Sequence, residues 1–184
     1  MPGTWLSTAD SLNPTLPTGA IAQTFDRYSA SCVNLAAHLV SGTLMVSAIY
    51  LRSGQVASAA TFRSGGTALS TATNQWACLL DADRVVRAVS ANGTSGAWAG
   101  NAAKTFTFGA AYTVPSTGWY YVGLMVAATT VPSIIGISDG YTDVSGIAPV
   151  LSASSSTGQT SPPALAATMG AFTAKSQKAW AYLT

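Results

Sequence analysis

The stretch "TGWYYVGLMVAATTVP", residues 117–132, is the most apolar run in the chain, and no Asp, Glu, Lys, Arg or His stands between Lys104 and Asp139. Its dense part, Trp119 to Val131, is bracketed by Pro115 and Pro132 and falls short of the roughly 20 apolar residues a spanning helix needs. Val122, Val126 and Val131, with Trp119, Tyr120 and Tyr121, are strand formers, and "PSTG" before them is turn chemistry. Read with a period of two, one face carries Tyr120, Val122, Leu124 and Val126. The other carries Trp119, Tyr121, Met125 and Ala127. Neither face is polar, whereas a half-buried antiparallel strand alternates. One face can meet a partner sheet; the other must meet a loop of the same chain or a neighbouring subunit.

The same reading predicts strands over 25–35, 43–51, 56–64, 74–81, 84–91, 104–109, 133–138 and 179–184, with Gly, Ser, Asn or Pro between most of them. Residues 74–81 and 84–91 are joined at Ala82–Asp83 and read as a hairpin. Over 104–109, Phe106 and Phe108 share one face and Thr105 and Thr107 the other. No segment holds a 3.6-residue period for three turns; "PPALAATM" (162–169) offers one helical turn, with Pro at its start. Residues 1–24 contain three of the eight prolines and no periodicity, which reads as an extended N-terminal arm anchored by Trp5 and Leu6. The expectation is an all-β chain: an antiparallel two-sheet jelly-roll sandwich over 25–184, preceded by the arm.

Composition sharpens this picture. Charged residues make up 8% of the 184, against roughly 25% in ordinary soluble domains, so little repulsion keeps copies apart. The net charge of +2 comes without any basic run, which argues against nucleic acid as a partner. Residues 1–23 lack the basic start and apolar core of a secretory signal, and no membrane insertion is expected. Cys32 and Cys78 each fall in a predicted strand and read as small buried hydrophobes.

Candidate chemistry is sparse. "GISDG" (136–140) fits the G-x-S-x-G nucleophile elbow, but that motif needs a helix after Ser138, and "YTDVSGIAP" is not one. The sole histidine, His38, cannot build a multi-His metal site and reads as a surface or interface imidazole. Asp81 with Asp83, and Asp139 with Asp143, are turn carboxylates before they are calcium ligands. No cofactor is implied, and the chain does not read as an enzyme. Trp98, in the small-residue stretch "TSGAWAGNAAK", reads as an exposed aromatic suited to glycan contact or to packing between subunits.

The segments "SGTLMVSAIYLRSGQVASAATFRSGGTAL", "TNQWACLLDADRVVRAVSA" and "AWAGNAAKTFTFGAAYTVPSTGWYYVGLMVAATTVPSIIG" resemble small structural proteins in the virions of tailed phages infecting actinobacteria. The resemblance spans about residues 41–140 and implies a β-rich, non-enzymatic role in the virion. By analogy with jelly-roll decoration proteins it also implies a homotrimer. The expected function is a capsid-surface decoration protein whose arm fastens it to the shell, with Trp119, Tyr121 and Met125 at the subunit contact. Its partners would be other copies and the major capsid protein or tail proteins. The alternative is a minor tail or fibre protein that binds host-surface carbohydrate.

Overall fold

The computed structural model describes residues 15–27, 32–138, 147–155 and 158–184; over these the protein is all-β, without helix, and every strand pairing is antiparallel. Numbered along the chain, the strands are β1 (Ala22–Gln23), β2 (Val33–Leu35), β3 (Thr43–Leu51), β4 (Val56–Arg63), β5 (Ser70–Leu80), β6 (Val86–Val89) and β7 (Ala103–Thr113). They continue as β8 (Gly118–Thr130), β9 (Ile134–Ser138), β10 (Ser152–Ser154), β11 (Thr173–Ala174), β12 (Gln177–Ala179) and β13 (Ala181–Leu183). One sheet has the order β1-β13-β4-β7, a second β11-β10-β3-β8-β5-β6, and a small third β12-β9-β2.

The two larger sheets pack face to face. Tyr120, Val122, Leu124 and Val126 of β8, with Ile49 of β3 and Leu79 of β5, share one core with Phe62 of β4, Phe106 and Phe108 of β7 and Leu183 of β13. The Thr105 and Thr107 hydroxyls point outward, so period two alone accounts for the orientation of β7. The third sheet closes one side, joined to the first through the Ser64–Ile134 bridge, and a Ser90–Phe108 bridge ties the opposite edges of the two large sheets.

A second core lies on the outer face of the six-stranded sheet. There Leu44 and Val46, Trp76 and Cys78, Tyr121 and Met125, and Ala153 of β10 beside Val46, pack under Met169, with Leu151 and Phe172 alongside. The cover is the chain's own return segment. Residues 166–169 run along β6 through hydrogen bonds of Val86 N–H to the Ala167 carbonyl (2.9 Å) and of Met169 N–H to the Arg84 carbonyl (2.9 Å). This corrects the expected helical turn at 162–169. Ala166 sits at φ 63°, outside any right-handed helix, because the segment is held by the sheet edge.

Two other expectations shift. Of 25–35 only Val33–Leu35 is strand among the described residues, and Cys32 stands just before it, half-buried rather than within a strand. Residues 15–24, read from sequence as arm, belong to the sandwich where they are described. Ala22 and Gln23 pair with Leu183 and Tyr182, and Gln23 Nε2 donates to Thr15 Oγ1 at 2.8 Å. Among the described residues no helix is long and apolar enough to cross a membrane.

Candidate functional site

The sequence-derived site residues do not form one cluster. Trp5 and Leu6 lie outside the described residues. Tyr121 and Met125 are buried in the second core, Met125 completely and Tyr121 with its ring edge-on to Phe172 at 5.9 Å and 84°. The apolar second face of β8 is therefore satisfied within one chain, and its apolarity alone requires no second copy. Trp119 alone of the three is exposed, at 38%.

Trp98 is a correction. It is 2% exposed, not a surface aromatic, and packs edge-on against Phe106 with ring centroids 6.0 Å apart. Its Nε1 donates to the Ala102 carbonyl at 3.0 Å. The surrounding loop is tied down by Lys104, whose Nζ donates to Gln75 Oε1 (2.7 Å) and to the Ala97 carbonyl (3.0 Å) while lying 5.8 Å from the Trp98 ring. These bonds fasten the loop 96–97 to β5 and β7 beside the buried indole.

His38 is a second correction: it is 2% exposed, buried instead of on the surface. Cys78 is fully buried, which pushes its thiol up to about 12, and both cysteines are free. Ser138 ends β9 in register with Gln177; Asp139, Gly140 and Asp143 lie outside the described residues. Asp81 caps its turn, its Oδ1 accepting from Asp83 N–H (3.0 Å) and Val85 N–H (2.9 Å), and its Oδ2 pairs with Arg87 Nη2 at 2.6 Å. Both oxygens are already engaged by the protein, which leaves the D-x-D poorly placed to serve as ion ligands.

What the structure assembles around Trp119 is an aromatic end of the sandwich. Tyr50 and Trp119 are register partners across β3 and β8, and their rings meet edge-on at 5.3 Å and 75°. They occupy the outer face of the sheet one pair beyond Ala48–Tyr121, which is where the Phe172 cover stops. Beside Trp119 lies a depression of about 340 Å³, lined also by Tyr112, Tyr120, Asp81, Asp83 and Arg87. Tyr112 and Tyr120 stand 6.4 Å apart, and Tyr120 Oη donates to the Ser116 carbonyl at 3.0 Å. Burial first, and the neighbouring Tyr120 second, hold the Tyr112 hydroxyl above its ordinary range, so it stays a donor at neutral pH.

Exposed rings thus stand next to a fixed carboxylate–guanidinium pair, a combination of flat apolar area and polar groups. The depression brings together no histidine or cysteine that could serve as base or nucleophile. Tyr50 and Arg87 were not singled out from sequence; nothing in a lone Tyr at a strand end reveals its cross-strand partner. Compared with known protein families, curated proteins and solved structures, the chain finds no match in any of the three.

Proposed function

We propose that this chain is a structural protein of a phage virion that works by binding: a capsid-surface decoration protein assembling as trimers. The Tyr50–Trp119 end is its contact surface in this reading. The carrying observation is that exposed aromatic pair, 49% and 38% accessible, on a chain of which only 8% is charged. Trp and Tyr are enriched among the residues that anchor protein contacts. The jelly-roll form of the sandwich is part of the same proposal. It is supported by the non-sequential order β3-β8-β5-β6 facing the neighbours β4 and β7, a crossed arrangement of Greek-key type. Residues 1–14 serve as the attachment arm, a shorter span than 1–24 because residues 15–24 hold the sandwich together.

The test is self-association of the full chain by light scattering, alongside incorporation into virions. Tyr50→Ser with Trp119→Ser keeps the far-UV circular dichroism of the folded domain and loses both trimer and incorporation. An unchanged trimer in this double variant overturns the reading.

The second reading, a minor tail or fibre protein binding host-surface carbohydrate, is favoured by the Asp81–Arg87 pair beside Trp119. A carboxylate and a guanidinium next to a flat ring supply both the polar contacts and the stacking that a sugar uses. It predicts binding of the chain to host cell-wall polysaccharide that is lost with Trp119→Ala and kept with Trp98→Phe.

A further inference from the structure

Asn92–Gly93 is the one Asn-Gly step in the chain. Such a step is chemically labile. With no side chain on the glycine, its main-chain nitrogen reaches the asparagine Cγ with little hindrance. The N–Cγ bond forms, the Cγ–Nδ2 bond breaks, and the amide proton leaves with Nδ2 as ammonia. Water then opens the cyclic imide at either carbonyl, giving aspartate or isoaspartate. Water is the only co-reactant. The Gly93 N–H and both ends of the Asn92 amide have to be free to move together.

The fold engages all three groups. Gly93 N–H donates to the Gln75 carbonyl at 2.8 Å. Asn92 Oδ1 accepts from Gln75 N–H at 3.1 Å, and Asn92 Nδ2 donates to Asn74 Oδ1 at 2.6 Å. The nucleophile, the carbonyl under attack and the leaving nitrogen are each bonded to the same two residues of β5. Gln75 is itself well anchored: it is buried, its side chain donates to the Gly96 carbonyl, and it accepts from Lys104 Nζ at 2.7 Å. A hydrogen-bonded amide gives up its proton only through local opening, so attack by Gly93 requires the turn to come off β5 first.

We propose that Asn92–Gly93 is a deamidation site gated by the fold: inert while bonded to Asn74 and Gln75, and converted irreversibly in chains that have opened there. The isoaspartyl product weakens the return. It places Oδ1 and the Gly93 N–H in one trans peptide unit, where they point opposite ways, so both bonds to Gln75 cannot re-form. A chain that opens and reacts is marked, whatever the protein binds.

The experiment holds the full chain at pH 8.5 folded in buffer and, in parallel, unfolded in guanidinium chloride. Mass spectrometry follows the tryptic peptide Ala88–Lys104, which also contains Asn101–Ala102 as an internal reference. Deamidation at Asn92 is expected to be at least about tenfold slower in the folded chain. Asn74→Ala, shown to be folded by far-UV circular dichroism, deamidates severalfold faster than folded wild type and at the same rate when unfolded. Isoaspartate-bearing chains returned to buffer unfold at a lower urea midpoint than unmodified ones. Equal rates in folded and unfolded wild type, a folded Asn74→Ala variant no faster than wild type, or an unchanged midpoint for the isoaspartate chains each overturns the proposal; the wild-type comparison stands without the variant.

Discussion

Phe172 covers Tyr121: the two rings meet edge-on at 5.9 Å, and at that contact the returning chain closes over the outer face of β8. A strand apolar on both sides thus becomes the middle layer between two cores of one molecule. Phe172→Ala thins that cover. Because Phe172 is only partly buried, the expected loss is about 2 kcal/mol, below the roughly 3–5 kcal/mol of a fully buried Phe. Urea unfolding measures it; a midpoint equal to wild type would mean the segment does not hold the second core.

Trp98 and Trp119 should separate stability from surface function. Trp98→Ala removes a buried ring and its Nε1 bond to Ala102, and costs about 3–5 kcal/mol. Trp119→Ala removes a partly exposed ring and shifts the melting temperature by a few degrees at most. Thermal unfolding of the two variants side by side checks this, and a reversed ranking would refute it.

Gly123 lies between the cores with no room for a side chain. A Cβ there would stand 2.8 Å from Cys78 Sγ and 2.9 Å from Leu44 Cδ1. Gly123→Ala is therefore expected to cost about 1–3 kcal/mol by overpacking. Adding Cys78→Ala removes one of the two clashing atoms, so the double variant should lose less than the sum of the singles. Strict additivity in a double-mutant cycle would contradict the contact.

His38 links stability to mild acid. Its folded pKa, about 4, lies below the ordinary imidazole value because burial and Lys175 oppose the cation. The unfolded chain therefore binds the extra proton first. The stability is fully present above about pH 6.5 and is lost as pH falls toward 4, on the order of 3 kcal/mol over the window. Urea unfolding at pH 7.5 and 4.5 should show a steeper loss in wild type than in His38→Gln. The same slope in both would exclude His38 as the cause.

Lys178 acts at the alkaline end. Buried, with its Nζ donating to the Thr24 carbonyl at 2.8 Å, it has a pKa pushed down to about 8. The folded lysine gives up its proton before the unfolded one, so its contribution to stability rises from about pH 8 to about pH 10.5, on the order of 3 kcal/mol in total. Cys78 works in the opposite sense above about pH 9, because the unfolded thiol ionises first. The comparison is therefore wild type against Lys178→Met at each pH, and a constant difference across the window would disprove the assignment.

The strands were largely legible along the chain. The expected 43–51 is β3, 56–64 differs from β4 by one residue, and the Phe106/Phe108 against Thr105/Thr107 alternation is the inward and outward sequence of β7. Each depends only on neighbours a few residues away, which is why local chemistry sufficed. The aromatic end was half legible: Trp119 was picked out, but Tyr50 became its partner only through a register linking residues 69 positions apart.

Sequence by itself determined that this is an all-β chain, because period-two apolar runs broken by turn residues leave no amphipathic helix to build. It also determined that the middle of β8, Tyr120–Ala127, would be dry on both sides, since neither of its faces carries a charge. Only the tertiary structure decided what keeps it dry. The cover comes from Val150 and Leu151 and from residues 167–172, stretches without periodicity whose place is set by hydrogen bonds of 166–169 to the β6 edge and by Phe172 on Tyr121. The fate of Trp98 and His38 was decided in the same way. Burial of a polar-edged ring depends on partners such as Ala102, Lys104 and Lys175 being brought to it in space, and a linear pattern carries no record of which distant atoms arrive.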